Sequence, residues 1–140
     1  MPIPFTVTRE DLLRSKTLDP GWYKATIKKI WQEPSNAGDS TNTWAEFSVV
    51  EGPAQKDNSN PQGTPLRRCF SEKAPGMIVP FLVAMGAKVT ENGGTFDVEK
   101  GVGRDILVYN ENKMYEGRML NNVSDFKAIT NYVLAPLTRP

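Results

Sequence analysis

The chain contains no histidine. That removes the usual general base at neutral pH, the commonest metal ligand and every Ser-His or Cys-His nucleophile pair. Cysteine is almost as scarce. Cys69 stands alone, which rules out an internal disulfide and a thiolate zinc site and suits a reducing compartment. The acidic residues are dispersed, with no DxD or ExxE spacing for a magnesium site. No GxxxxGK[ST] loop occurs, and no GxGxxG follows a strand. Catalysis, metals and cofactors are therefore not expected. Neither sign of charge dominates: 17 Lys and Arg against 16 Asp and Glu leave a net charge of +1. A duplex binder often has a strongly basic domain, so any nucleic-acid role depends on where the cations gather. No apolar run approaches the roughly 20 residues of a membrane span. The opening MPIPFTVTREDLL lacks a basic region followed by an apolar one, so no secretory leader is expected. These absences suggest a non-membrane protein of the cytoplasm, that of the host cell if the protein is viral.

What the sequence does contain is alternation. Residues 1–20 form an N-terminal extension in which Thr8 caps a short helix, Arg9 to Arg14, with Asp11 three residues on from the cap. After Pro20-Gly21, a strand from Trp22 to Trp31 alternates Tyr23, Ala25 and Ile27 with Lys24, Thr26 and Lys28. The phase breaks after Lys28, where a bulge would restore register and curl the strand. Past a polar loop at 33–42, a second strand, Thr43 to Glu51, places Ala45, Phe47 and Val49 on one face and Trp44, Glu46 and Ser48 on the other. Residues 52–65 read as a mobile loop. Leu66 to Ser71 is a third strand. A short helix spans about Val79 to Met85, with Pro80 in its first turn and Gly86 closing it. Strands four and five are Arg104 to Tyr109 and Met114 to Leu120. Residues 128–140 form a tail with little regular structure.

Strand, strand, strand, helix, strand, strand is the order of a five-stranded OB-fold barrel, whose helix falls between strands 3 and 4. Another small barrel or a sandwich fits the count, but not the position of the helix. The expected fold is thus mainly β, an OB-fold-like barrel over residues 21–127. Several blocks then take on meaning together: Pro20-Gly21-Trp22-Tyr23-Lys24-Ala25, Phe47 to Pro53, Val79-Pro80-Phe81-Leu82 with Gly86, Val102-Gly103-Arg104, and Tyr115-Glu116-Gly117-Arg118 with Asn121-Asn122-Val123. In order and spacing, over residues 20–127, they resemble a family of bacteriophage single-stranded DNA-binding proteins with an OB fold. The resemblance implies binding of single strands in phage replication or recombination, alongside other proteins of those processes, and no enzymatic activity. The chain departs from many single-strand binders at its end, where Ala135 to Pro140 carries no acidic tail for recruiting partners.

A sequence-tolerant single-strand site needs cations for the phosphates and aromatic faces for the bases. Lys24 and Lys28 from strand one, Trp44 from strand two and Arg67 from strand three all fall in the solvent phase. Trp44 is the best stacking candidate, because Ala45, Phe47 and Val49 already occupy the core phase. Trp31 lies at the mouth of the first loop and suits either role, whereas Trp22 reads as structural. Arg68 shares the phase of Leu66 and Phe70, which leaves Arg67 as the surface arginine. Lys113, Tyr115 and Arg118 lie in and after the last hairpin, the position of a second binding loop, where Tyr115 suits stacking or packing equally. The alternative from the same residues is a viral structural or adaptor protein using the barrel for protein contacts. Oligomeric state does not follow from the sequence.

Overall fold

The computed structural model describes residues 2–129 and 132–134. Helix α1 is Arg9–Arg14, and the strands are β1 Gly21–Pro34, β2 Thr41–Glu51, β3 Pro65–Ser71, β4 Asp105–Asn110, β5 Lys113–Tyr115, β6 Arg118–Leu120 and β7 Val123–Ala128. Helix α2, Val79–Ala84, lies between β3 and β4 and follows a short 3-10 turn at Pro75–Ile78. Five strands form one antiparallel sheet in the order β3-β2-β1-β4-β7, while β5 and β6 make a separate ribbon. The mainly β class and the helix between strands three and four are as the sequence reads. Among the described residues no helix is long and apolar enough to cross a membrane.

The core follows from the alternation. Tyr23, Ala25 and Ile27 of β1 are buried with Ala45, Phe47 and Val49 of β2, and with Ile106 and Val108 of β4. Helix α2 lays Phe81 onto this surface, where its ring meets Phe47 at 5.7 Å, Phe70 of β3 at 5.3 Å and Phe126 of β7 at 5.0 Å. Gly86 follows α2 with φ +97°, a conformation open to glycine at little cost. At the other end of the chain, Thr8 and Asp11 form the full capping box of α1.

Three expectations need correction. The strand expected at Met114 to Leu120 folds back on itself as β5 and β6, because Glu116 and Gly117 both take positive φ and make a tight two-residue turn. The fifth strand of the sheet is β7. Its pairing with β4 slips between Tyr109 and Asn110, so that Ser124 is an extra residue and the buried positions, Val123 and Phe126, lie three apart. That spacing conceals a strand from a search for period two. Second, the sheet does not close into a barrel. Strands β3 and β7 are its two edges, bridged across the seam by Arg68, whose Nη1 donates to the Val123 carbonyl at 3.1 Å. Side chains fill this seam in place of a ladder.

Third, the loop after β2 is anchored. Gln55 is buried; its side-chain oxygen accepts from the Asp19 N–H at 2.9 Å, and its nitrogen donates to the Tyr23 hydroxyl at 2.8 Å. Pro61 and Thr64 are buried as well. The chain enters this loop through Gly52, where a Cβ would stand 2.2 Å from Cδ1 of the buried Tyr23 ring. Gly52→Ala should therefore cost about 1–3 kcal/mol through overpacking, read as a lower urea midpoint at an unchanged denaturant slope. The tail expected from residue 128 is partly tied down. Leu134 is buried and its N–H donates to the Gly86 carbonyl at 3.1 Å, while Arg104 donates to Met85 O at 2.6 Å and Val133 O at 3.1 Å. Ala135 to Pro140 lies outside the described residues.

Candidate nucleic-acid interface

The bulge expected in β1 determines what the outer face of the sheet presents. Ile27 pairs with Phe47 and Lys29 with Glu46, so Lys28 is the extra residue. Beyond it Ile30 packs against the core, and Lys29 and Trp31 turn outward. Trp31 then lies directly across from Trp44 of β2, and the two rings stack nearly parallel, at 6.1 Å and 10°. The Nζ of Lys29 stands 4.7 Å from the centre of the Trp31 ring, and the Arg67 guanidinium 5.7 Å. The indole N–H of Trp31 donates to Glu33 at 2.8 Å, which fixes its orientation. Arg67 also pairs with Glu46 through Nη2 at 3.1 Å, with both side chains partly in water.

Beside this pair runs a groove of about 400 Å³ between the end of α1, the start of β3 and strand β6. Its lining includes Arg14, Lys16, Arg67 and Arg118, with Glu46 the one acidic group among the lining residues. Arg14 is held by Glu10 at 2.8 Å, and that carboxylate raises the pKa of the guanidinium. Exposed pairs of this kind contribute little, so a phosphate that offers charge-assisted bonds can replace the carboxylate. A smaller groove of about 200 Å³ adjoins, lined by Lys28, Arg14, Glu10 and Ser48 among others.

Two asparagines set the wall of the main groove. Asn110, fully buried at the end of β4, donates to the Leu18 carbonyl at 3.0 Å and accepts from the Asn122 N–H at 2.9 Å. Asn121 accepts from the Leu18 N–H at 2.8 Å and donates to Lys16 O at 2.9 Å. The base of the β5–β6 ribbon and the segment carrying Lys16 are thus tied to one point. The ribbon's register puts Lys113 opposite Leu120 and Tyr115 opposite Arg118, which places all four on one face, while Met114 and Met119 share the other. All six are exposed.

The structure brings some of the expected site residues together and separates others. Trp31, Trp44, Arg67 and Arg118 form one continuous stretch of surface. Lys28 is exposed within the bulge and lines the adjoining groove. Lys24 stands apart, half-buried at the far end of β1 opposite Glu51 and Leu107, because six residues of strand separate it from Trp31. Lys113 and Tyr115 share the ribbon face with Arg118 without lining the groove. Three contributors were missed. Lys29 falls in the apolar phase when the alternation of Tyr23, Ala25 and Ile27 is carried straight on, but the bulge at Lys28 turns it outward. Arg14 and Lys16 belong to an extension whose position over the sheet has no local sequence signal.

Trp22, read from the sequence as structural, lies away from the groove. It is half-exposed on the outer face, edge-on to Tyr109 at 5.3 Å, with the Lys127 Nζ 4.6 Å from its ring. It shares the phase of Lys24 and Thr26. Cys69 lies opposite Trp44, and burial pushes its thiol pKa up, so it stays protonated at neutral pH. Among the described residues no three acidic or cysteine side chains gather where they could hold a metal ion. No protein-family model matches this chain, and no curated protein matches it.

Proposed function

We propose that this chain binds single-stranded DNA without transforming it, with bases on the Trp31–Trp44 pair and the backbone in the adjoining groove. The observation that carries this reading is the double position of Arg67. It stands 5.7 Å from the Trp31 ring and also lines the groove with Arg14, Lys16 and Arg118. A stacking platform and a cationic path thus meet at one residue, which is the combination that sequence-tolerant single-strand binding requires. A duplex keeps its base faces stacked inside and offers none to such a platform. The element order and the outer face of β1, β2 and β3 support reading the open sheet as an OB-type fold, with the β5–β6 ribbon in the place of a binding loop. The role that goes with this reading is protection or presentation of single strands during phage replication or recombination, in the host cytoplasm, beside proteins of those processes.

The test is a titration with labelled oligo-dT and the matching duplex at two salt concentrations, with tryptophan emission followed in parallel. The expected result is preference for the single strand, quenching of the emission, and affinity that falls with salt. Arg67→Ala and Arg118→Ala should each flatten the logarithmic salt slope by about 0.7, the value for one phosphate contact on a single strand. Absence of binding at low salt would overturn the proposal. It would leave the adaptor reading, which the exposed Met114–Met119 face of the ribbon favours.

A further inference from the structure

Strand β1 is paired with β4 only as far as Thr26, opposite Asp105. Beyond that point no strand runs along this side of β1, and the segment Phe96 to Glu99 lies beside it instead. A cavity of about 320 Å³ opens between the two. Ile30, Trp31, Phe96 and Val98 give it apolar walls, three of which are set by packing of Ile30, Phe96 and Val98 against the core. Its charged groups are Asp97 and Glu99, and no lysine or arginine lines it. Asp97 is fixed as the cap of the 3-10 turn Val98–Gly101, where its Oδ1 accepts from the Glu99 N–H at 3.2 Å. Among the described residues neither carboxylate is paired with a cation.

Trp31 belongs both to this cavity and to the stacked pair, so the site has two unlike flanks. The cations of the groove stand on the β3 side, and the two carboxylates stand beyond β1. A nucleotide has the same polarity. Its phosphate offers only acceptors, which carboxylates repel, whereas base edges carry N–H donors. A strand stacked on Trp31 with its backbone in the groove therefore turns a base edge toward the cavity. An ionised carboxylate only accepts, and it accepts best from two parallel N–H groups. Guanine alone presents such a pair on its Watson–Crick edge, the ring N1–H and the 2-amino group. Adenine and cytosine offer one amino group beside a bare ring nitrogen, and thymine one N–H between two carbonyls. We infer that the cavity takes the Watson–Crick edge of one base of the bound strand and, through Asp97 and Glu99, selects guanine and least favours thymine. The inference rests on single-strand binding at the Trp31–Trp44 pair and adds to it a preference at one position.

The experiment titrates the full chain, at one low salt concentration, with labelled oligo-dT and with the same strand carrying guanine, adenine, cytosine or hypoxanthine at one central position. Hypoxanthine keeps the stacking surface and the N1–H of guanine but lacks its 2-amino group. The guanine strand should bind about tenfold more tightly than oligo-dT, within the range for one bidentate contact, with the other three strands between them. In the double variant Asp97→Asn, Glu99→Gln, guanine and hypoxanthine strands should bind alike, and oligo-dT no more weakly than in the parent. Asparagine preserves the cap, and a thermal melt checks folding. Equal affinity of the parent for all the strands would overturn the inference and leave single-strand binding standing. So would a guanine preference that hypoxanthine matches, or one that the double variant keeps. Absence of binding to every strand would overturn this inference together with the function it rests on.

Discussion

Replacing Phe81 with alanine is expected to remove about 3–5 kcal/mol of stability, the range for deleting a fully buried aromatic ring from a core. The reason lies in what the ring joins. Phe81 is completely buried and touches Phe47, Phe70 and Phe126, one from the sheet's interior and one from each of its two edge strands. No ladder joins those edges, so the rings around Phe81 hold the seam together with the Arg68 contact to Val123. A closed barrel could distribute this loss over backbone hydrogen bonds, but an open, curled sheet cannot. Single domains are stable by only about 5–15 kcal/mol, so the variant should lose a substantial share of its margin and melt roughly 10–20 °C lower. Phe81→Leu, which refills most of the volume, should recover more than half of the loss. A melting point within 3 °C of the parent for Phe81→Ala would show that the ring cluster does not hold the sheet.

Much of this fold was legible because its forces are local. Thr8 and Asp11 announce a helix start through hydrogen bonds that span three residues. The alternation in β1 and β2 reports one wet and one dry face. Pro80 and Gly86 bracket α2 by their backbone preferences alone. What escaped was nonlocal. Strand β7 has its period broken at Ser124, and only its pairing with β4 identifies it as a strand. Gln55 looks like an ordinary loop residue until Tyr23 and Asp19 are brought to it from more than thirty positions away. Closure of the barrel was inferred from the order of elements, yet it depends on whether two edges come within hydrogen-bonding distance, which no segment encodes by itself.

The candidate site shows the same division within a few residues. The phase break after Lys28 was visible, and so was the bulge that explains it. Its consequence lies further along the strand: a bulge inverts the phase of everything beyond it, which sends Ile30 inward and brings Lys29 and Trp31 to the side of Trp44. Lys24, which keeps the original phase, stays near Glu51 at the other end of the strand. The stacked pair therefore depends on one inserted residue. The groove depends on Asn110 and Asn121, whose side chains tie residues 16–18 to the base of the ribbon across about ninety to a hundred positions of sequence.

The largest effect expected on binding comes from removing both rings of that pair. Stacking is worth about 1–3 kcal/mol per base, so Trp31→Ala and Trp44→Ala should each weaken oligo-dT binding by roughly 5- to 150-fold. The rings are nearly parallel cross-strand neighbours at 6.1 Å, and each helps to orient the other. Their losses should therefore be non-additive: the double variant should bind only somewhat more weakly than the worse single one, with a coupling energy above about 0.5 kcal/mol. The salt slope should stay at its parent value in all three, because no phosphate contact is lost. This separates the rings from Arg67 and Arg118, which act on the slope. Trp22→Ala serves as the control. It removes an equally half-exposed tryptophan at the far end of β1, beside Tyr109 and Lys127 and away from the groove. If Trp22→Ala weakens binding as much as Trp31→Ala does, the strand follows the length of β1 and the site is misplaced. If the double variant binds like the parent while its melting curve shows it folded, the platform is not a platform and the cations of the groove must account for the affinity.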